Sequence, residues 1–341
     1  MIRKESRLNW KFWIGIIIGI LFLFLAFRKV DFNEIGIALK NANYIYTIPA
    51  ILLTVLSLWL RSLRWHFMLQ QIKKIRLNSL FSATMIGFMA NYLFPARLGE
   101  FVRAYVIGEK ESISKSASFA TIIFERILDG ITILTFLFII LICFSFPLPD
   151  WMKSAVYLAC GFYILSLLFL ILLKVQTDKA LKLTSFIFRP LPKKIQNKFL
   201  TTLNSFITGL QILHHFRNIL VSVFLSVLVW IPPGFIIYFI LISFDIFLPL
   251  YASYLILVIF CFGVMIPSAP GFIGTIQFLS VSGLALFGVS KGQALSFSFL
   301  YHLCQYIPII TIGLIYFFIE GFSFAQIKCS QKIEEVETNR S

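Results

Sequence analysis

Six apolar runs, near residues 11–28, 44–62, 117–146, 152–173, 219–243 and 293–318, dominate this 341-residue chain. Each is close to the ~20 residues that a helix needs to cross ~30 Å of hydrocarbon. Apart from closed barrels, only helices satisfy their backbone hydrogen bonds in lipid, so such runs leave few folds open. Hydrophobic residues make up 59% of the chain and charged residues 13%, with a mean hydropathy of +0.90, which a water-facing surface could not accommodate. An all-α polytopic membrane protein is expected, with about six to eight transmembrane helices plus one or two broken or re-entrant helical hairpins. Residues 1–320 read as a single membrane domain and 321–341 as a short tail.

The basic residues predict orientation. The segment 174–218 holds eight Lys/Arg against one acid, Asp178, which marks a basic cytoplasmic loop, whereas the loop beginning Pro147-Leu148-Pro149-Asp150 holds none and is expected outside. Arg61, Arg64, Lys73, Lys74 and Arg76 repeat the inside signature after the second run, as do Arg3, Lys4 and Arg7 at the start. Both termini are therefore expected in the cytoplasm of a multi-pass protein of the cytoplasmic (inner or plasma) membrane. Ala26-Phe27-Arg28 offers no small-x-small cleavage site, so the first run reads as an uncleaved helix. The net charge of +15 fits anionic lipid headgroups; the absence of any nucleic-acid-binding motif argues against nucleic acid.

Two further apolar regions are interrupted. Residues 79–108 are broken at Pro95-Ala96-Arg97-Leu98-Gly99-Glu100, and residues 250–289 at Pro267-Ser268-Ala269-Pro270-Gly271-Phe272-Ile273-Gly274. Parity requires 79–116 to leave and return on the inner side, as a re-entrant hairpin does. The same count makes 250–289 begin and end outside, as a hairpin or as two short spans. Broken elements at membrane depth are tolerated where they line a cavity, and in transporters they mark the central site. The alternative is that Pro and Gly merely kink packed helices.

Charged residues in these segments are the candidates for activity, because a charge at bilayer depth costs roughly 2.5–3.5 kcal/mol on insertion scales. Asn91, Arg97, Glu100 and Arg103 fall within 13 residues, with Arg97/Glu100 and Glu100/Arg103 at i,i+3. Guanidinium forks suit bidentate phosphate binding, although an Arg-Glu-Arg set can equally hold a hairpin together. In the next run Glu125 and Asp129 are i,i+4 with Arg126 beside them. This triad can neutralise itself, offer Arg97 and Arg103 a partner, or exchange protons. Arg61 and Arg64, between Trp59 and Trp65, read as interfacial anchors.

His66, His214, His215 and His302 form no metal-ligand spacing, and Walker, Rossmann and GxSxG patterns are missing, so neither a metal nor any other cofactor is expected. The five scattered cysteines make no disulfide framework. Within 174–218, Leu191, Ile195, Phe199, Leu203 and Phe206 interleave with Lys193, Lys194 and Lys198, the pattern of an amphipathic element on the inner leaflet.

Asn91, Pro95-Ala96-Arg97-Leu98-Gly99-Glu100 with Arg103, Glu125-Arg126, Asp129 and Pro270-Gly271-Phe272-Ile273-Gly274 together resemble the flippase-like membrane domain of lysylphosphatidylglycerol synthetases, over nearly the whole chain. The resemblance implies a lipid-translocating domain. Ser341 follows the last run by about 20 residues; no soluble aminoacyl-transfer domain is expected, which argues against lysyl transfer. Gln277 stands where many relatives carry Glu, which puts a protonation role there in doubt. The expectation is thus a lipid flippase-like transporter that moves an anionic or phosphate-bearing headgroup, aminoacylated or polyprenyl-linked, across the membrane. The headgroup would pass through a polar cavity between the two broken hairpins: Arg97 and Arg103 would bind phosphate, Glu100, Glu125 and Asp129 would balance or gate, and the Pro267–Gly274 break would supply flexible backbone, with Asn91, Arg126, Pro270, Gly271, Gly274 and Gln277 also counted among the substrate-binding residues. Its partners would be membrane lipids, anionic phospholipid or a lipid-linked sugar; a homo-oligomer stays open. The alternative is a membrane enzyme or accessory subunit acting on lipid-linked substrates, for which no catalytic constellation is found.

Overall fold

The computed structural model describes residues 10–28, 30–94, 98–144, 150–187, 193–265 and 269–322. Along the chain these form α1 (Trp10–Phe27), α2 (Phe32–Asn41), α3 (Thr47–Leu69), α4 (Leu77–Leu93), α5 (Gly99–Glu111), α6 (Lys115–Phe144), α7 (Asp150–Val175), α8 (Thr177–Ile187), α9 (Lys193–Gly209), α10 (Phe216–Ser243), α11 (Leu250–Gly263), α12 (Thr275–Ala285) and α13 (Lys291–Ile319). Short 3₁₀ turns lie at Tyr44–Tyr46, Leu210–His214 and Pro270–Phe272. No strand occurs among the described residues. Among the described residues five segments, 44–69, 115–143, 157–175, 216–243 and 291–319, are long and apolar enough to cross a membrane. The chain is an all-helical polytopic membrane protein.

The shorter helices come in pairs. α4 and α5 run antiparallel, because a Cβ on Gly87 would lie 2.8 Å from the Gly99 carbonyl oxygen and 2.9 Å from Arg103 Cβ, while Lys110 at the far end donates to Ser82 Oγ over 3.2 Å. α11 and α12 do the same: Gly263 faces Leu279, and Gly283 faces Ile259. At 1.5 Å per residue the 14 residues of α11 and 11 of α12 reach only about 21 and 16 Å, short of a ~30 Å crossing. Their lengths therefore fit a hairpin better than two full spans.

The described residues divide into two compact units. The first contains residues 1–54, 89–98 and 234–310; the second contains 55–88, 99–233 and 311–341. In the first unit α1 packs on α12, with Phe22 stacked on Phe278 at 4.9 Å and Gly19 against Ala269. Gly274 lets this happen. Its φ of +86° lies in the left-handed region, and a Cβ there would strike the Gly19 carbonyl. α2 is capped by Asp31, which accepts from Asn33 N, and is tied to the start of α13 through Glu34 and Ser290.

In the second unit α6 is the central element. α5, α7 and α9 pack along it, with Gly209 seated against the Ala117 carbonyl and Gly130 under the Tyr163 ring. Among the described residues of 174–218 lie α8, α9 and a 3₁₀ turn. Ile207 and Leu210 in this stretch are buried, at 3% and 0% exposure, while Leu203 and Phe206 of the amphipathic pattern are half-buried. Lys110 at the end of α5 also pairs with Glu320 just after α13.

Candidate functional site: a buried arginine cluster

Three helices of the second unit bring six charged side chains together. On α3, Arg61, Arg64 and Trp65 share a stripe by their i,i+3 and i,i+4 spacing, and on α6 Thr121, Glu125 and Asp129 share another. The stripes face each other: Trp65 Nε1 donates to Thr121 Oγ1 (2.8 Å), Arg64 Nη1 to Asp129 Oδ1 (2.7 Å) and Arg61 Nη1 to Asp129 Oδ2 (3.0 Å). α5 contributes Arg103, whose Nη1 donates to Glu125 Oε1 (3.0 Å) and whose guanidinium lies 3.9 Å from the centre of the Trp65 ring. Arg126 reaches round its own helix, donating to Glu125 Oε1 (2.6 Å) and pairing with Asp129 Oδ2 (3.1 Å). α10 closes one side. Ser226 Oγ accepts from Arg64, Trp230 Nε1 donates to Asp129 Oδ1 (2.9 Å), and the Trp230 ring underlies Arg61 at 4.7 Å.

Burial makes the arrangement consequential. Arg64 and Glu125 are 0% exposed and Arg103 2%; only Arg126 is half-exposed. A buried ion loses several kcal/mol of hydration, which only well-placed partners offset. Here the partners are unequal, since four guanidinium groups meet two carboxylates and the six side chains carry a net charge of +2. Glu100, half-buried on the first turn of α5, acts electrostatically on Arg126 and lowers the local sum to +1. Glu125 Oε1 alone lies within 3.1 Å of three guanidinium groups. Even so, Arg64 Nε, Arg103 Nε and Nη2 and Arg126 Nε are buried with no hydrogen-bond partner among the described residues, while Arg64 Nη2 meets only Glu125 Oε1, at 3.1 Å.

The sequence-predicted residues Arg103, Glu125, Arg126 and Asp129 are therefore brought together, with Glu100 at the margin. The acids do share one face of α6, and Glu125 does offer Arg103 a partner. Arg61 and Arg64 depart from expectation. They are not interfacial anchors but buried members of the set, because on α3 they face the carboxylates of α6 instead of the lipid interface. Trp65 and Trp230 were not singled out either. The usable signal was a cationic i,i+3 pair in one run matched to an acidic i,i+4 pair in another. Arg97, with Pro95 and Ala96, lies outside the described residues, as do Pro267 and Ser268.

The remaining predicted residues sit in the first unit, around the second break. Gln277 Oε1 accepts from Gly274 N (2.8 Å) and so caps α12, while its Nε2 is 3.4 Å from His302 Nδ1. His302 also lies against the Gly271 backbone. Tyr92, on the last turn of α4 beside half-buried Asn91, packs on Tyr306 (5.1 Å between ring centres) and edge-on to Phe272 (6.1 Å). A Cβ on Gly271, whose φ is +68°, would come within 3.4 Å of the Tyr92 carbonyl oxygen. Pro270 opens the 3₁₀ turn here. Tyr92, His302 and Tyr306 were not foreseen as part of this group.

Fold and cluster together define a polytopic helical membrane protein with a cation-rich polar centre inside one unit. The chain belongs to the family of the lysylphosphatidylglycerol synthase TM region, whose model matches residues 12–313. It is similar to a UPF0104 membrane protein of Methanothermobacter thermautotrophicus (26% identity, covering 88% of this chain and 93% of that protein). A UPF0104 membrane protein of Methanocaldococcus jannaschii is similar at 25% identity over 89% of this chain and 93% of its own length. A shorter match, 31% identical over 120 residues, covers 35% of this chain and 19% of the glycosyltransferase AglD of Haloferax volcanii. No solved structure gives a significant match.

Proposed function

We propose that this protein is a lipid transporter of the flippase type, which carries a phosphate-bearing headgroup across the cytoplasmic membrane by way of the arginine cluster while the acyl chains stay in lipid. The observation that carries this reading is that Arg64 Nε and Arg103 Nε and Nη2 are buried with no hydrogen-bond partner among the described residues, in a group whose cations outnumber its carboxylates. Free guanidinium N–H groups held in low dielectric are strong, geometrically selective phosphate donors. The family membership supports a lipid-related role, and the partial likeness to a protein named as a glycosyltransferase makes a lipid-linked sugar the second cargo to test, beside anionic phospholipid. In this reading the protein performs no bond chemistry, and both termini face the cytoplasm.

The test is transbilayer movement of headgroup-labelled phosphatidylglycerol in vesicles reconstituted with the purified chain. Wild-type vesicles should move the lipid well above protein-free vesicles. Arg103→Lys, which keeps the charge and loses the fork, should slow movement at least tenfold while the melting temperature shifts little. Movement no faster than in protein-free vesicles, for both phosphatidylglycerol and a polyprenyl-linked sugar, would sink the proposal.

A further inference from the structure

The second break, in the first unit, carries a titratable side chain that the proposed transport chemistry does not use. We infer that His302 is a proton-binding site, and that the proton it takes up releases the backbone cap at the start of α12. Its neighbours come from α4, α12 and the Pro270–Phe272 turn, and none of them belongs to the arginine cluster.

The hydrogen bonds fix where the protons sit. Gly274 N can only donate, so the Gln277 atom 2.8 Å from it is the amide oxygen, and the amide nitrogen is left to face His302 Nδ1 at 3.4 Å. That nitrogen also only donates. His302 Nδ1 is therefore the accepting nitrogen, which makes the ring neutral and puts its proton on Nε2. The ring also hydrogen-bonds the Gly271 backbone, and Nε2–H is the donor left for that carbonyl. One imidazole thus spans the turn, holding Gly271 directly and Gly274 through Gln277.

Protonation undoes this pattern. Both ring nitrogens of an imidazolium donate, so Nδ1–H would meet the Gln277 amide N–H groups, donor against donor. Gln277 relieves the conflict by turning its oxygen to His302, where the bond is charge-assisted and stronger. Gly274 N, which is buried, then loses its acceptor at a position that holds a φ of +86° against the Gly19 carbonyl. Gly271, at φ +68°, gives the same segment a second glycine about which the backbone can turn. The other groups facing the ring are Tyr92 of α4, with ring centres 6.5 Å apart, and Tyr306 one turn along α13, at 5.6 Å. Among the described residues no charged side chain acts on His302. Between about pH 5 and about pH 8 the imidazole is thus the group here that changes charge.

The test uses the full chain in lipid nanodiscs, with its four histidines nitrogen-labelled for NMR. The His302 ring signals are those lost in His302→Phe, which keeps an aromatic ring between Tyr92 and Tyr306. At about pH 8 Nδ1 should give the signal of a bare nitrogen and Nε2 that of an N–H, and by about pH 5 both should be N–H. Over the same range the hydrogen-exchange protection factor of residues 271–277 should fall by about tenfold or more, and in His302→Phe it should stay constant. Gln277→Glu supplies a carboxylate that accepts from Gly274 N and from the imidazolium together, so protection should persist in the acid range and His302 should stay protonated to higher pH than in the wild type. A proton on Nδ1 at the alkaline end, no titration across the range, or titration that leaves the protection unchanged overturns the inference, as does an equal fall in His302→Phe. Should His302→Phe fail to fold, the signals displaced by Gln277→Glu identify His302. Protection that falls at the wild-type midpoint of those signals then supports the inference, and protection that does not overturns it.

Discussion

Asp129 is the most exacting place to perturb the cluster, because four side chains converge on it: Arg61 at 3.0 Å, Arg64 at 2.7 Å, Arg126 at 3.1 Å and Trp230 at 2.9 Å. Asp129→Asn keeps the shape and an acceptor oxygen but removes the charge. Hydrogen bonds to charged groups contribute about 1.5–3 kcal/mol against about 1 kcal/mol for neutral ones, so three guanidinium contacts weakened by about 1 kcal/mol each give a loss of about 3 kcal/mol. An independent route agrees. Asp129 is the only ion-pair partner of Arg61 among the described residues, and removing one member of a buried pair costs about 3–5 kcal/mol. Equilibrium unfolding in mixed micelles, followed by tryptophan fluorescence because Trp65 and Trp230 border the cluster, measures the difference. Adding Arg61→Gln to Asp129→Asn removes the stranded cation, and the double variant should be more stable than the two single losses added together by roughly 1–3 kcal/mol. A loss below about 1 kcal/mol for Asp129→Asn, with additive behaviour in the double variant, would mean that the carboxylate is not holding these arginines, and the electrostatic account of the core would be wrong.

Two further expectations concern backbone and orientation. Gly274→Ala places a Cβ at φ +86° against the Gly19 carbonyl and should lower stability by about 1–3 kcal/mol, whereas Gly36→Ala, in a helix with nothing near its Cβ, should raise it by about 0.5–1 kcal/mol; melting temperatures of both variants decide. In a cysteine-free background, a single cysteine at Asp150 should react with an impermeant reagent added to intact cells, and one at Lys193 only after permeabilisation; labelling at Lys193 from outside would reverse the orientation drawn from the charge counts.

The spans were legible because a run of about 20 apolar residues admits few other structures, and α3, α6, α10 and α13 fall within a few residues of the runs that predict them. The antiparallel pairing of α4 with α5 followed from charge parity alone. The cluster was legible only in half. Glu125 and Asp129 stood out because acids in an apolar run need a reason, but a cation near the end of a span, flanked by tryptophan, has two low-energy solutions. It can extend to the interface or turn inward to a carboxylate, and the carboxylate that decides between them lies 68 residues from Arg61 and 65 from Arg64. A single sequence does not state which faces of two helices meet. His302 was hidden for a related reason: its neighbours Gln277 and Gly271 come from another helix and a turn, so no local spacing announces the group.

The order of the cluster along the chain has a consequence for how the protein is made. Ribosomes deliver Arg61 and Arg64 well before Glu125 and Asp129, so α3 is made before the carboxylates that its arginines pair with in the folded protein. Held at membrane depth alone, each would cost roughly 2.5–3.5 kcal/mol, while at the headgroup level the same side chains are comfortable. The newborn α3 is therefore expected to wait with its basic end at the headgroup level. Its arginines are expected to turn inward only once α6 supplies the carboxylates that pair with them. Burial of Arg61 and Arg64 thus depends on the arrival of α6, whose Asp129 pairs with both.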